Sequence, residues 1–410
     1  MKTFLVGGAV RDAALKLPVA DRDWVVVGAT PADMQAAGYR QVGKDFPVFL
    51  HPDTHEEHAL ARTERKTRAG HHGFDVDAGP HVTLEQDLSR RDLTINAMAQ
   101  TGEGDIVDPW GGLQDIQNRR LRHVSDAFTE DPLRVLRTAR FAARFAPLGF
   151  TVAAETLTLM QEIVASGELA TLPAERIQQE LQRALATDAP RRFIEVLRQC
   201  GALQVLWPEL DRLFGVPQPI EHHPEVDSGE HTLLALDRAV ALGADTATRF
   251  AVLCHDLGKG TTDPSAWPRH IDHENRGVPL VNACCKRLKA PTAWRELAVM
   301  STRWHLHSHR ADNLRPGTLV DTLTALDALR RPARFEQFLT VCEADARGRA
   351  GLASAPYPQA DTLRRAAAAM SGVDAAAAVD GVPPEQRQAA VREARIRAVR
   401  DAQRDASDQL

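Results

Sequence analysis

The chain has no apolar run that approaches the roughly 18 to 20 residues needed to span a membrane. Its N-terminal segment MKTFLVGGAVRD reaches charged residues too early for a secretory signal. We therefore expect a cytoplasmic protein that does not contact a membrane. Hydrophobic residues make up 43% of the 410 positions, which is enough for a substantial core divided among several domains.

The chain has few cysteines and no net positive charge. The five cysteines show no CxxC spacing, which argues against a disulfide framework or a zinc ribbon and predicts buried, reduced thiols. The formal net charge of -5 gives no overall attraction to nucleic acid. Binding to a polyanion would therefore depend on a local concentration of arginine. No internal repeat of fixed period is present.

Two regions differ in their secondary-structure patterns. Residues 1 to about 110 contain short β-rich runs (DWVVVG, FPVFLH, EHALAR) and one early helix, which predicts an α+β domain. From about residue 115 onward helical spacing dominates and strands are expected to stop. The remainder is therefore predicted to be all-α, with a histidine-rich segment at about 222–310 and an Ala- and Arg-rich tail from about 360.

The N-terminal segment FLVGGAVRDAALKLPVADRDWVVVG combines two glycines with two aspartates. Glycines at a helix start let the backbone approach a ligand closely, and the N–H groups there favour phosphate. Asp21 and Asp23 are two residues apart at a strand entry, so their side chains are expected to share one face. Two divalent ions would relieve the repulsion and could activate a hydroxyl and stabilise pyrophosphate. Glu57 is a plausible third ligand.

A helix is predicted to begin at Pro132, after Glu130 and Asp131. Its arginines fall within a sector of about 120° and its small apolar residues on the other side, with Leu133 and Phe141 interrupting the basic face. Guanidinium groups are suited to phosphate. The alternative is a surface helix with ordinary solvated arginines. The arginines in question are Arg134, Arg137, Arg140 and Arg144.

The ordered motifs LVGGAVRD, DRDWVVV, RRDLTINAMA, DPWGGLQDIQNRRLRHV, EDPLRVLRTARFAARF and PAERIQQEL resemble class II tRNA nucleotidyltransferases, the CCA-adding enzymes. The resemblance implies an α+β fold with an N-terminal nucleotidyltransferase head containing a small mixed or antiparallel sheet, followed by an all-α neck and body. It also implies addition and repair of the 3′-terminal CCA of tRNA from CTP and ATP, with release of pyrophosphate.

Site residues follow from the same resemblance. The resemblance implies that Asp21 and Asp23 bind Mg²⁺ and act in catalysis, and Glu57 is predicted to be catalytic with them as the third acid. The residues implied to bind ATP and CTP are Gly8, Arg11, Arg91, Asp92, Asp131, Arg134, Arg137 and Arg140. An aspartate accepts from an exocyclic amino group and an arginine donates to a ring nitrogen or carbonyl, so Asp131 and Arg134 could read the base. Residues 62–88 resemble the family's flexible loop associated with adding the terminal A.

Adjacent His255 and Asp256 in TRFAVLCHDLGKG are predicted near the end of an apolar helix closed by Gly258. The spaced order H, HD, D resembles the HD phosphohydrolase family, whose fold is all-α. By this resemblance the candidate metal ligands are His231, His255, Asp256 and Asp345, and His305 is a further candidate. It implies 2′,3′-cyclic phosphodiesterase, 2′-nucleotidase and phosphatase activities with a transition metal, Ni²⁺ or else Co²⁺ or Mn²⁺.

The resulting domain prediction is a catalytic head at 1–115, a helical neck and body at 116–222, an HD domain at 223–350 and a helical tail at 351–410. A monomer or homodimer is expected. Two alternatives stay open, a bacterial poly(A) polymerase and a nonenzymatic RNA-binding or signalling protein. The histidine-rich segment and mildly acidic composition disfavour the first, and the intact acidic and HD motifs disfavour the second.

Overall fold

The computed structural model describes residues 1–42, 48–66, 74–221 and 224–407. The chain divides into two compact units, Met1–Leu206 and Trp207–Leu410, each with its own packed core. The four predicted domains are a finer division than these two units, and their boundaries stay predictions.

A seven-stranded mixed sheet forms the centre of the first unit and confirms the predicted α+β class. Its strands occur in the spatial order β3-β4-β5-β2-β1-β8-β9, and only β2 and β5 run parallel. A separate antiparallel pair, β6 and β7, precedes β8 in the chain. The strands of the first unit up to this point are β1 (Lys2–Val6), β2 (Asp23–Val27), β3 (Arg40–Gln41), β4 (Val48–Leu50), β5 (Glu57–Leu60), β6 (Thr63–Lys66), β7 (Phe74–Asp77), β8 (Ala99–Gln100) and β9 (Ile106–Val107).

Successive side chains of β2 point to opposite faces of the sheet, so this strand contributes to two separate hydrophobic cores. Val25 lies on one face with Val6 and Leu88, whereas Val26 lies on the other with Met34 and Phe49. Helices cover these faces and continue beyond the sheet. They are α1 (Gly8–Ala14), α2 (Pro31–Ala36), α3 (Leu84–Ser89), α4 (Gly112–Gln117), α5 (Leu133–Phe145), α6 (Ala154–Ala165), α7 (Ala174–Leu185), α8 (Arg191–Gln199) and α9 (Ala202–Leu206).

Two sequence expectations need correction in this unit. Strands do not stop at residue 115, because β10 (Arg120–Leu121) and β11 (Thr151–Val152) form a short parallel pair. The pair is only two residues long, so it leaves no period-2 pattern to detect. The segment predicted as a flexible loop, 62–88, contains β6, β7 and α3, while its residues 67–73 lie outside the described chain.

Helices make up the second unit. The central α14 packs against α12, α13 and α16, and the C-terminal α19 packs against α15 and α17. No described helix combines the length and the apolar character required to cross a membrane. The helices are α10 (Pro208–Asp211), α11 (Ser228–Ala241), α12 (Thr246–Cys254), α13 (His273–Arg287), α14 (Thr292–His309), α15 (Pro316–Ala325), α16 (Pro332–Arg347), α17 (Pro358–Ser371), α18 (Ala375–Ala378) and α19 (Arg387–Ser407).

The cysteines are all buried and unpaired, as predicted. Burial raises the pKa of the Cys200 and Cys285 thiols to about 11. A thiol with a raised pKa is a poor nucleophile and metal ligand. The cysteines therefore contribute apolar packing to the core.

Gly258 has a different role from the predicted helix end. Helix α12 already ends at Cys254, and Gly258 lies in a 3₁₀ turn at Leu257–Thr261. A Cβ at Gly258 would stand 1.9 Å from the backbone oxygen of His273 and 2.8 Å from the backbone nitrogen of Gly277. The turn therefore crosses α13 at backbone contact distance, which only glycine allows.

We expect Gly258→Ala to destabilise the second unit by about 3 kcal/mol, the upper end of typical overpacking costs, because the clash is with backbone. Urea denaturation followed by circular dichroism measures this loss. Gly260→Ala is the matched control in the same turn, since its Cβ would meet the Arg212 Cβ at 3.3 Å. Equal stability of the two variants would contradict the proposed close crossing.

Candidate functional site

Two of the predicted carboxylates of the first unit, Asp23 and Glu57, lie side by side at one end of the sheet, and Asp21 precedes β2 by two residues. Asp23 opens β2 and pairs in register with Glu57, the first residue of the parallel strand β5. On its other side Asp23 pairs with Val6, the residue directly before the Gly7–Gly8 turn. Sheet register thus places the glycine turn, Asp23 and Glu57 beside one another.

These carboxylates have the properties of a divalent-cation site. Asp21, Asp23 and Glu57 are exposed, and none forms an ion pair with another residue of the described chain. Among described residues they do not form a group with oxygens within 4.8 Å of one another. Exposed like charges without a cationic partner fit hard ions such as Mg²⁺, which prefer carboxylate oxygen.

The glycine turn packs closely under Arg91. Gly7 adopts a φ of 67° and donates its N–H to the Met98 carbonyl at 3.1 Å. A Cβ at Gly7 would stand 2.8 Å from an Arg91 guanidinium nitrogen, whereas Gly8 begins α1 with ordinary space around it. Gly7, which is absent from the predicted site residues, therefore carries the stricter backbone requirement.

Arg11 is buried within the unit, with 3% of its surface exposed. Its guanidinium donates to Asp12 at 2.8 Å and to the side-chain oxygen of Asn96 at 2.5 Å. It also lies 5.1 Å from the ring centroids of Phe141 and Phe145 on α5. Arg11 thus joins α1 to α5, and its predicted contact with nucleotide stays a prediction.

Asp92 and Arg137 form a directed ion pair between the RRD segment and α5. The Nε of Arg137 donates to Asp92 Oδ2 at 2.7 Å, and Asn96 donates to Oδ1 at 2.9 Å. Burial acts to raise the pKa of Asp92, but Arg137 and these hydrogen bonds hold it well below its ordinary value. The terminal nitrogens of Arg137 form no hydrogen bond with the described residues, so they can meet phosphate.

Asp131 and Arg134 are both fixed by neighbouring groups. Asp131 accepts from the Leu133 backbone N–H at 3.0 Å and from Arg176 of α7 at 3.1 Å. Arg134 donates to the carbonyls of Ala127 and Arg90, at 2.8 Å and 2.5 Å. The predicted base-reading pair is therefore held in place from both the RRD segment and α7.

The structure explains why Phe141 interrupts the arginine-rich face of α5. Phe141 is buried, and the guanidinium carbon of Arg140 lies 4.2 Å from its ring centroid. Arg140 donates to Glu180 of α7 at 2.5 Å. The alternative of an ordinary solvated helix is therefore wrong for Arg140, which is 9% exposed and paired.

The sequence interpretation missed the partners that orient this site. Arg176 and Glu180 stand in the quoted motif PAERIQQEL, but they are about 40 residues away from the side chains that they contact. Asn96 likewise stands in RRDLTINAMA. Their presence in the quoted motifs was the only indication in the sequence that these residues belong to the site. Which side chains pair across helices is decided by tertiary packing.

The predicted metal ligands of the second unit are buried together. His231, His255 and Asp345 form one group of potential ligand atoms, all within 4.8 Å of one another. His231 Nε2 is 2.9 Å from Asp345 Oδ1, and His255 Nε2 is 3.7 Å from Asp345 Oδ2. The fourth predicted ligand, Asp256, lies 3.2 Å from His255 Nε2 through Oδ2.

A second group contains Asp256, His273 and the further candidate His305. Neither His273 nor Lys259 was assigned to a site from the sequence. The ammonium group of Lys259 contacts Asp256 Oδ2 and the Gln218 side-chain oxygen, both at 2.5 Å. The signal for Lys259 was its position three residues after Asp256, one turn along the chain.

Hydrogen-bond chemistry shows that the first group needs a positive charge. His255 Nδ1 faces the Val252 carbonyl at 2.7 Å, and a carbonyl only accepts, so Nδ1 carries the proton. Nε2 of neutral His255 then turns a lone pair toward Asp256 and Asp345, and it has no hydrogen-bond partner among the described residues. Either a proton or a metal ion must relieve the repulsion.

The electrostatics reflect this arrangement. Burial acts to lower the pKa of His255, but Asp256 and Asp345 outweigh it and raise that pKa to about 10. His231 is held between Asp345 and Glu225, whose carboxylate is 2.9 Å from Nδ1. Asp345 is further fixed by His309 at 2.7 Å. Buried imidazole and carboxylate ligands oriented by outer hydrogen bonds fit a divalent transition metal.

Three family models match the chain. They are a poly A polymerase head domain over residues 3–122, a probable RNA and SrmB-binding site of polymerase A over residues 149–214, and an HD domain over residues 229–345. The first covers the carboxylate site, and the last covers both histidine groups. HD domains and nucleotidyltransferase heads generally use divalent metals, consistent with the two sites.

Known proteins match over most of the chain. The "Multifunctional CCA protein" of Thioalkalivibrio sulfidiphilus is 62% identical over 375 residues, which is 92% of each chain. A Bacillus stearothermophilus CCA-adding enzyme in complex with CTP shares the fold with a TM-score of 0.60 at 22% identity, covering 100% of this chain and 95% of that one. A Thermotoga maritima CCA-adding enzyme complexed with tRNA gives 0.56 at 18% identity, covering 90% and 78%.

Proposed function

Because the chain belongs to the multifunctional CCA protein family, we propose that it adds and repairs the 3′-terminal CCA of tRNA, using CTP and ATP and releasing pyrophosphate. The observation that carries this proposal is the register of the first unit, which sets Asp23 between the glycine turn and Glu57. The relatives named for this activity and the solved enzymes with CTP and tRNA support it.

Asp21, Asp23 and Glu57 would hold Mg²⁺ at this site. When bound, Mg²⁺ supplies charge neutralisation for the attacking hydroxyl and the leaving pyrophosphate. Arg91 is held by Asp87 and Arg137 by Asp92, and both arginines would position the triphosphate. Asp131 and Arg134 would present fixed acceptors and donors to the base edge, so that protein side chains take the place of a template.

The test uses tRNA lacking CCA, tRNA ending in C and tRNA ending in CC, each with labelled CTP or ATP and Mg²⁺. We expect CTP to extend the first two and ATP to extend only the last, with synthesis stopping after A. Long adenylate tails on unrelated RNA would instead support the poly(A) polymerase alternative. Binding of tRNA without any incorporation would support the nonenzymatic one.

We expect Arg134→Ala and Arg137→Ala to fail in different ways. Contacts to base edges specify, whereas phosphate contacts position. Arg134→Ala should reduce discrimination among the four nucleotides by about 10-fold to 100-fold, corresponding to about 1–3 kcal/mol for one base contact. Arg137→Ala should raise KM for both CTP and ATP with selectivity unchanged.

Single-nucleotide incorporation assays with all four triphosphates measure both effects. Arg134→Lys is the matched control, because it keeps the charge but loses the planar fork that reaches the Ala127 and Arg90 carbonyls. It should lose selectivity nearly as far as Arg134→Ala. Equal loss of affinity in Arg134→Ala and Arg137→Ala, with selectivity kept in both, would refute the division of roles.

The buried histidine groups favour a second activity. We propose that the second unit is a metal-dependent phosphohydrolase acting on 2′,3′-cyclic nucleotides, 2′-nucleotides and phosphate monoesters. His231, His255, Asp256 and Asp345 would hold the metal, and imidazole ligands favour Ni²⁺, Co²⁺ or Mn²⁺ over Mg²⁺. Lys259, buried beside Asp256, supplies a cation for the substrate phosphate. Hydrolysis of these esters by the metal-loaded full chain, measured metal by metal, tests the proposal.

A further inference from the structure

Glu56 stands directly before the proposed ligand Glu57 and contacts the residues at the start of β2. The indole Nε1 of Trp24 donates to Glu56 Oε2 at 2.8 Å. The guanidinium group of Arg22 lies 3.9 Å from Glu56 Oε1. Arg22 and Trp24 alternate in the sequence with the two proposed aspartate ligands. One carboxylate therefore contacts both of the residues that alternate with those ligands.

Strand geometry places these contacts on the face of the sheet away from the ligands. Successive side chains of a strand point to opposite faces. Trp24 therefore shares a face with Val26, whereas Asp23 lies on the other face. The same alternation separates Glu56 from Glu57 at the start of β5. The hydrogen bond between Glu56 and Trp24 thus joins the two strands behind the proposed Mg²⁺ ligands.

The ends of the two strands decide where the ligands point. Asp23 and Glu57 are the first residues of β2 and β5, so the pairing of these strands continues from them in one direction only. Both carboxylates are exposed, and neither forms an ion pair with the described residues. A slip of one residue would turn a carboxylate to the opposite face. The hydrogen bond of Glu56 with Trp24 opposes such a slip at the point where it would begin.

Trp24 is itself held by an aromatic stack. Its ring lies parallel to the His58 ring, with centroids 5.5 Å apart and an angle of 6° between the planes. His58 is the residue that pairs with Trp24 in the register of the parallel strands. Tyr39 lies edge-on to His58, with ring centroids 5.1 Å apart. The plane of the indole is therefore fixed, and its N–H keeps its direction toward Glu56.

The backbone of Glu56 is fixed as well. Its carbonyl accepts from the His51 N–H at 3.0 Å and faces His58 Nδ1 at 3.1 Å. A carbonyl only accepts, so Nδ1 of His58 carries the proton. Burial lowers the pKa of His58, which keeps this ring neutral near pH 7. The negative charge of Glu56 makes the hydrogen bond from Trp24 charge-assisted and about twice as strong as a neutral one.

We propose that Glu56 and Trp24 are positioning residues of the nucleotide-addition site. Their hydrogen bond holds the ends of β2 and β5 in the register that presents Asp21, Asp23 and Glu57 to Mg²⁺. They act through these neighbouring ligands, without contact to the metal or the nucleotide. Removing an outer partner that orients metal ligands typically weakens metal affinity by about 10-fold to 100-fold. The effect on rate rests on the proposed CCA addition, whereas the effect on metal binding does not.

The Mg²⁺ dependence of nucleotide addition tests the role. Glu56→Ala should raise the Mg²⁺ concentration for half-maximal CTP incorporation by about 10-fold to 100-fold, and excess Mg²⁺ should restore most of the rate. Trp24→Phe keeps a ring on His58 but removes the N–H, so it should raise the requirement in the same way. Glu56→Gln is the matched control, because its amide oxygen still accepts from the indole, and it should stay close to the parent protein.

A purely structural role gives a different result. It would lower the rate at every Mg²⁺ concentration, whereas circular dichroism and thermal unfolding should show that each variant is folded. The double variant Glu56→Ala, Trp24→Phe should be no worse than either single variant, because both changes remove the same hydrogen bond. An unchanged Mg²⁺ requirement in folded Glu56→Ala would overturn the proposal. Additive losses in the double variant, or a Glu56→Gln variant as defective as Glu56→Ala, would contradict the role of the hydrogen bond.

A metal titration distinguishes this proposal from the proposed activity. It uses Mn²⁺, which carboxylates also bind, and follows the free ion by electron paramagnetic resonance. The full chain carries His255→Ala and Asp256→Ala to remove the proposed metal site of the second unit, and the blank carries Asp21→Ala and Asp23→Ala in addition. Glu56→Ala should weaken the binding that the blank lacks by about 10-fold or more. This result in a protein that adds no nucleotide would refute only CCA addition. Unweakened binding in Glu56→Ala, or equal binding with and without the aspartates, would exclude the positioning role.

Discussion

Replacing Asp21 or Asp23 by Ala is expected to reduce nucleotide addition to tRNA by about 10³-fold or more, since about 4 kcal/mol of transition-state stabilisation corresponds to that factor. Both residues are exposed and form no ion pair within the described chain, so the fold does not depend on them. Single-turnover incorporation of CTP, at saturating Mg²⁺, measures the chemical step directly. Thermal unfolding should be unchanged.

Asp105→Ala is the matched control, because Asp105 is an exposed carboxylate of the same unit in the turn between β8 and β9, toward the end of the sheet opposite Asp23. It should keep full activity. Glu57→Ala tests whether the third carboxylate is a ligand of Mg²⁺. If it is, the variant should need a higher Mg²⁺ concentration for activity and should also show a lower rate of nucleotide addition. Normal CTP incorporation by the Asp21→Ala, Asp23→Ala double variant would refute metal catalysis at this site.

His255→Ala or Asp256→Ala is expected to abolish hydrolysis of 2′,3′-cyclic nucleotides and phosphate monoesters while CCA addition survives. His255 turns its unpartnered Nε2 toward two carboxylates, and Asp256 offers an oxygen to each histidine group. Losing either would remove a ligand from the proposed buried metal centre. The residues proposed for nucleotide addition all lie in Met1–Leu206, whereas His255 and Asp256 lie in Trp207–Leu410.

Both activities should be measured in each variant across Mg²⁺, Mn²⁺, Co²⁺ and Ni²⁺. The carboxylate site should work best with Mg²⁺ and the histidine site with transition ions. Asp256→Asn is the matched control for packing, because it keeps the shape and removes the charge beside Lys259. Full ester hydrolysis by folded His255→Ala would exclude the proposed centre, and loss of both activities together would contradict independent sites.

Local sequence determined the parts of the fold that depend on neighbouring residues. The glycine turn before α1, the aspartates at the start of β2 and the helix after Pro132 follow from short-range backbone rules, and each is present. Small apolar residues predicted on one side of α5 are buried, as helical periodicity requires. These features need no knowledge of distant residues.

Local rules were less reliable at element ends. The sequence predicted His255 and Asp256 near the end of a helix closed by Gly258, but α12 ends at Cys254 and Gly258 instead lies against the backbone of α13. That reason is tertiary, since it depends on a crossing with residues 15 and more positions away. The two-residue strands β10 and β11 were not predicted from the sequence, because only their pairing with each other defines them.

Only the tertiary structure decided which charged groups act together. Glu57 joins Asp23 because β5 runs parallel to β2, and a shift of one residue in register would turn Glu57 to the other face. Asp131 and Arg140 are held by Arg176 and Glu180 because α7 packs against α5. In the second unit, the sequence supplied the histidines, but the packing of α14 against α13 and α12 set His273 and His305 around one oxygen of Asp256. Side-chain direction at such sites depends on helix packing, which no short stretch of sequence encodes.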